Sequence, residues 1–297
     1  MQEMLAGEYV HQARELLSEG IARYGLPTTG PVYDGNLRAL IDPNLHDFRL
    51  LELPTHVGDP QFLQSQRRIL DLGCGPGTLV YRALGFGHDA WGIDLDDKKI
   101  ALAHFRSRAN SYPDDWASHI LCADATRLPF EDQTFDVVSS CQVLEHIEEL
   151  PQALFEAVRV TKRGGWLDLR APDYRQSYDN HYSMTWPRFM PRDQAVRWAE
   201  AMGRPADGVG TFYYVTTPQV QAILEGLGCR MVSVTLWQHM PDGPRKFDGR
   251  FGVDPIFFRS DADVHALARQ VKELELAGRL PDMYCRPLEF TIIAQRT

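Results

Sequence analysis

The feature that most constrains this chain is a change of rhythm that begins at "RRILDLGCGPGTLVYRALGFG". A short apolar strand runs into a turn with three glycines in five positions, and a helix closed by glycine follows. The alternation then continues. "DAWGIDLD" reads as a strand ending in an acid, "DDKKIALAHFRSRAN" as a helix, "SHILCAD" and "FDVVSSCQ" as strands, "PQALFEAVRV" as a helix and "GGWLDLRAPD" as a strand. Strand and helix alternating at this spacing demand an α/β fold, a doubly wound parallel sheet whose ligands sit at the carboxyl ends of the strands.

Around that core the patterning differs. Residues 2 to 24 repeat apolar positions at helical spacing, residues 25 to 60 are rich in glycine and proline and read as loop, and "LHDFRLLEL" is a short amphipathic piece within them. After Asp173 an aromatic-rich stretch contains "YDNHYSMTWPRFMP" and is too long for a simple connection. "TPQVQAILEGLGC" reads as a capped helix, "RMVSVTLW" and "PLEFTIIAQ" as strands, and residues 239 to 284 as a second insertion with a helix over "DADVHALARQVKELELAG". The expected division is a helical cap over residues 1–60 and a core over 61–297. Insertions at 172–213 and 239–284 are expected to form a lid over the substrate.

Composition limits the function. The formal net charge of −9 argues against a nucleic-acid partner, which needs a basic face to neutralise phosphates. No apolar run approaches the roughly 20 residues that cross a bilayer, and the acidic amphipathic N-terminus does not look like a secretory leader. Five cysteines, Cys74, Cys122, Cys141, Cys229 and Cys285, are odd in number and contain no CxxC pair, so neither a disulfide framework nor a zinc site is expected. A soluble cytoplasmic protein without a metal is the expectation.

The glycine turn admits two ligands. A dinucleotide site has the pattern GxGxxG, but here Thr78 occupies the sixth position. Asp71, just before the turn, would repel a pyrophosphate and suits a ligand that brings a cation.

With those residues, "ILDLGCGPGT" resembles the first motif of class I methyltransferases that use S-adenosylmethionine, and the resemblance continues in order through residues 68 to 170. It implies a seven-stranded, mostly parallel sheet of the Rossmann-like type. It also implies that the cofactor lies on Gly73, Cys74, Gly75 and Gly77, with Asp71 at its ammonium end. "WGIDLD" is similar to the second motif, so Asp94, 21 residues beyond Gly73, would accept both ribose hydroxyls beside Leu95. "CADATRLPF" resembles the third, with Asp124 on the adenine amino group and Ala125 on the ring edge. "FDVVSSCQVLEHI" resembles the fourth, with Cys141 and Gln142 beside the sulfonium.

The resemblance implies methyl transfer to a small-molecule metabolite by in-line displacement, with O-methylation first and N- or C-methylation as alternatives. A non-catalytic S-adenosylmethionine-binding regulatory protein is a further alternative. His146 of the "LEHI" run and His181 of the aromatic stretch are the candidate bases. Tyr33, Tyr178, Tyr182 and Trp186 are candidate substrate contacts. Cys74 and Cys141 are expected to pack as small residues and not to act as nucleophiles. The expected partner is a small acceptor molecule, with no nucleic acid and no membrane, and a homodimer remains open.

Overall fold

The computed structural model describes residues 2–240, 243–247, 258, 260–280 and 286–297. Strands β1 (Arg68–Leu72), β2 (Asp89–Asp94), β3 (Ile120–Cys122), β4 (Phe135–Cys141) and β5 (Thr161–Pro172) form the parallel part of one sheet. Two hairpin strands, β6 (Tyr178–Asp179) and β7 (Met184–Thr185), stand apart as a separate ribbon. Strands β8 (Cys229–Met240), β9 (Gly243–Lys246) and β10 (Leu288–Arg296) complete the main sheet in antiparallel pairing, giving the order β3-β2-β1-β4-β5-β10-β8-β9. The sheet has eight strands where seven were expected, and the four-residue edge strand β9 accounts for the difference.

Both faces of the sheet are covered. Among the described residues the α-helices are α1 (Gln2–Ala22), α2 (Pro31–Ile41), α3 (Asp47–Leu51), α4 (Leu53–Val57), α5 (Thr78–Gly85), α6 (Asp97–Ala109), α7 (Leu150–Val160), α8 (Arg192–Ala201), α9 (Thr217–Gly226) and α10 (Asp261–Leu276). This double cover explains why β1 and β4 read as near-continuous apolar runs: Ile69, Leu70, Leu72, Val137 and Val138 are each buried against helices on one side or the other. Local signals set the helix starts. The Asp96 carboxylate accepts from the backbone N–H groups of Lys98 and Lys99 at the start of α6, Thr216 caps α9, and Ser260 with Asp263 makes a reciprocal capping box on α10.

The stretch expected to be loop over residues 25–60 contains α2, α3 and α4. Its prolines open helices and do not break them: Pro31 is the first residue of α2 and Pro54 lies in the first turn of α4, where no intrahelical N–H bond is lost. These helices clamp the N-terminal segment to the core. Arg82 of α5 makes a two-pronged bond to Asp47 at 2.7 Å, and Arg106 of α6 donates to the Leu40 carbonyl at 2.8 Å. The "DDKKIALAHFRSR" helix buries Ile100, Leu102 and Arg106 against α1, α2 and the sheet.

The two insertions meet. Arg197 of α8 pairs with Asp261 of α10 at 3.0 Å, Lys272 donates to the Ala201 carbonyl, and the Trp198 ring stacks on Phe258. Parts of the 239–284 insertion, and Cys285, lie outside the described residues.

Candidate functional site

A cavity of about 900 Å³ opens at the carboxyl ends of β1, β2, β3 and β4. That is where a doubly wound sheet leaves a crevice, and its size falls in the range of small-molecule sites.

The glycine turn forms one wall. Gly73, Gly75 and Gly77 have φ of +76°, +52° and +73°, a region that side chains with a Cβ rarely adopt. Their surroundings separate their roles. A Cβ on Gly73 would lie 2.2 Å from Val143 Cγ2, and one on Gly77 would lie 2.3 Å from Ile120 Cδ1. A Cβ on Gly75 would meet no atom within 4 Å, because this glycine faces the cavity. Gly75 therefore keeps open a cradle that a ligand, and not the protein, is placed to fill.

Asp94, at the end of β2, is held in place by two backbone donors. Gly75 N–H donates to its Oδ2 at 2.9 Å and Asp96 N–H to its Oδ1 at 3.0 Å. Lys99 Nζ approaches at 3.9 Å. After the neighbouring strand β3, Asp124 is exposed and accepts from the N–H and the hydroxyl of Thr126, both at 2.8 Å. Leu95, Ala125 and Gln142 also line the space. Gln142 has φ of +59°, a strained backbone for a residue with a Cβ, at the point where β4 turns toward the cavity.

Several expected contacts lie elsewhere. Asp71 is buried away from the cavity wall, and Arg49 of α3 donates to its Oδ1 at 2.5 Å and to Ser139 Oγ at 2.8 Å. A guanidinium from the N-terminal segment thus occupies the carboxylate that was expected to meet the cofactor's ammonium group. Cys74 and Gly77 pack behind the turn, and Cys141 lies off the cavity wall, where burial pushes its thiol up to about 12. Neither cysteine has the environment of a nucleophile.

The expected substrate contacts are also displaced. Tyr33 is buried on α2 against Tyr9 and Leu37. Tyr182 and Trp186 are fully buried, with the Tyr182 hydroxyl on the Pro205 carbonyl and the Trp186 indole on the Tyr214 hydroxyl. Tyr178 sits on β6, away from the cavity wall. The rings of Tyr182 and Trp186 bind the insertion to the core through their buried apolar area.

The two histidines meet. His146, on the short 3-10 turn Leu144–His146 after β4, lines the cavity, and its Nε2 lies 3.3 Å from His181 Nε2. The far nitrogens are both occupied. His146 Nδ1 donates to the Thr211 carbonyl at 2.6 Å, and His181 Nδ1 faces Asp179 Oδ2 at 3.2 Å. Burial of its inner face and the charge of His181 press the His146 imidazolium to about 4, while its outer edge is open to the cavity. His181 is also buried, but Asp179 and Glu145 outweigh that effect and raise it. Burial lifts the Glu145 carboxyl to about 7.

Arg23, Lys99, Thr211 and Tyr213 also line the cavity and were not singled out in the sequence. Lys99 carried a signal, standing five residues after Asp94 on the helix that follows. Arg23, Thr211 and Tyr213 carried none, because the fold brings them in from distant segments.

Comparison with known proteins bears on the family and the fold. Residues 70–169 match the family described as "Methyltransferase domain". The ubiquinone/menaquinone biosynthesis C-methyltransferase UbiE of Dinoroseobacter shibae is 32% identical over 122 residues, covering 39% of this chain and 49% of that protein. The ubiquinone biosynthesis O-methyltransferase of Nitrosomonas europaea is 31% identical over 133 residues, covering 42% and 54%. The chain spans about half the length of the curated relatives it matches. A solved structure described as a methyltransferase, from Bacillus halodurans C-125, aligns with a TM-score of 0.50 at 15% identity, covering 82% of this chain and 98% of that one, and so shares the fold. Residues 70–169 of this chain form a class I S-adenosylmethionine-dependent methyltransferase domain.

Proposed function

We propose that this protein transfers a methyl group from S-adenosylmethionine to an oxygen atom of a small, partly apolar metabolite. The observation that carries this reading is the open cradle at Gly75 beside the anchored Asp94 carboxylate, with Asp124 after the neighbouring strand β3. A nucleoside with two ribose hydroxyls and an exocyclic amine matches those acceptors, since both groups are donors seeking carboxylate or backbone partners. When bound, S-adenosylmethionine supplies an electrophilic methyl on a sulfonium.

The chain's own residues then have to orient the acceptor and exclude water. Positive charge on sulfur fades during displacement, so alignment and desolvation carry more of the barrier than electrostatic stabilisation. The His146–His181 pair stands at the cavity wall on the side of Val143 and Thr211, where an acceptor hydroxyl has a proton to lose. That placement favours oxygen, because a carbon or neutral amine acceptor makes a different demand on its surroundings. The names of the relatives include both an O- and a C-methyltransferase of ubiquinone biosynthesis, which supports a small ring-bearing acceptor. We further propose that the insertions over 172–213 and 239–284 close the acceptor end of the cavity.

Calorimetric titration with S-adenosylmethionine tests the cofactor assignment. Replacing Asp94 by Ala removes the anchored acceptor, and the affinity should fall by more than about tenfold, the scale of a charge-assisted bond at ~1.5–3 kcal/mol. Unchanged affinity refutes the ribose assignment.

A further inference from the structure

Glu145, His146 and His181 present one ligand atom each within 4.8 Å of one another. They come from two separate segments, the turn after β4 and the β6–β7 hairpin, so the convergence is a product of tertiary folding. We propose that these three side chains form a binding site for a divalent first-row transition ion of the zinc type, set into the wall of the cavity.

Three features of the geometry support the assignment. First, the two Nε2 atoms are 3.3 Å apart. Two nitrogens bound to one ion at about 2.0–2.1 Å stand about 2.9–3.4 Å apart when the angle between them is between octahedral and tetrahedral. Second, the outer nitrogen of each histidine faces an acceptor, the arrangement that favours the Nδ1–H tautomer a metal site uses. The Thr211 carbonyl holds the His146 Nδ1 proton and the Asp179 carboxylate faces His181 Nδ1, which leaves each Nε2 lone pair aimed at the shared space. Such outer partners orient the imidazoles of metal sites and raise their basicity. The Asp179 carboxylate is itself held by the Tyr174 hydroxyl at 2.9 Å and by the Tyr182 N–H at 2.7 Å.

Third, Glu145 Oε2 is buried and has no hydrogen-bond partner. A buried acceptor left unsatisfied is costly. A proton shared by the two histidines would satisfy their facing nitrogens but leave Glu145 Oε2 an orphan. A cation between them satisfies all three atoms, after a side-chain rotation that brings the carboxylate in.

Two imidazoles and one carboxylate leave coordination positions open, and this donor set suits zinc, manganese or iron(II) more than calcium or magnesium. His146 lines the cavity, so those positions face it. An acceptor hydroxyl taking one of them becomes a stronger acid and releases its proton to water. That use of the ion rests on the methyl-transfer reading, whereas ion binding does not.

The test is titration of the chelator-treated full chain with Zn²⁺ and with Co²⁺, read by calorimetry and by the visible absorption of cobalt. One ion per chain is expected. His181→Ala and the near-isosteric Glu145→Gln should each weaken binding at least tenfold, with folding checked by circular dichroism. Should His181→Ala fail to fold, Glu145→Gln carries the comparison. Absence of stoichiometric binding overturns the proposal, as does binding that both variants retain unchanged. S-adenosylmethionine titrated into the same samples keeps the two assignments apart: cofactor binding without ion binding defeats the metal site alone, and ion binding without cofactor binding defeats the methyl-transfer reading alone.

Discussion

The three glycines of the turn offer a sharp perturbation, because the same substitution has different consequences at adjacent positions. Gly75→Ala places an L-residue at φ of +52°, where the left-handed region costs roughly 1–2 kcal/mol. No protein atom lies within 4 Å of the new methyl, so no packing penalty adds to that figure. The methyl projects into the cradle and should lower S-adenosylmethionine affinity at least tenfold, a change of about 1.4 kcal/mol. Gly73→Ala carries the same backbone cost, and its methyl collides with Val143 at 2.2 Å. Overpacking of that kind costs about 1–3 kcal/mol more, so its destabilisation should reach roughly 2–5 kcal/mol. Urea unfolding gives the stabilities, and calorimetry on each folded variant gives the affinities. The reasoning fails if Gly75→Ala binds cofactor as the wild type does, or if it is destabilised as much as Gly73→Ala.

Two further outcomes follow from buried charges. Arg49→Met leaves Asp71 unpaired in the interior and should cost about 3–5 kcal/mol in urea unfolding, while adding Asp71→Leu should recover much of that loss. Glu156 bonds Arg159 through both oxygens and also accepts from the Leu128 N–H, and these bonds hold its carboxyl below the usual value of 4.5. A depressed native pKa stabilises the fold above the unfolded value, and the gain is lost as pH falls through the native one. Glu156→Gln should therefore be less stable at pH 7, by about 1.5–3 kcal/mol. It should also lose less stability than the wild type between pH 5 and 3, as followed by thermal melts.

The parallel core was legible because its signals are local. Apolar strands, the Gly73–Gly77 turn and the acid at Asp94 lie within one stretch of chain, where backbone conformation and the period of burial depend on neighbouring residues. Residues 25–60 misled for a local reason as well, since proline marks a helix start as readily as a break.

By itself, then, the sequence determined the doubly wound core and the left-handed glycine turn at its carboxyl edge. Only the tertiary structure decided who meets whom. It brought Arg49 onto Asp71 across 22 residues, placed His146 against His181 across 35, and buried Tyr182 and Trp186 where an exposed pocket wall was expected. Aromatic and charged side chains serve a ligand or the core equally well in composition, and no local pattern tells the two apart. The choice is made by burial and by which partner satisfies each polar atom, and both depend on segments that the chain brings together only when it folds.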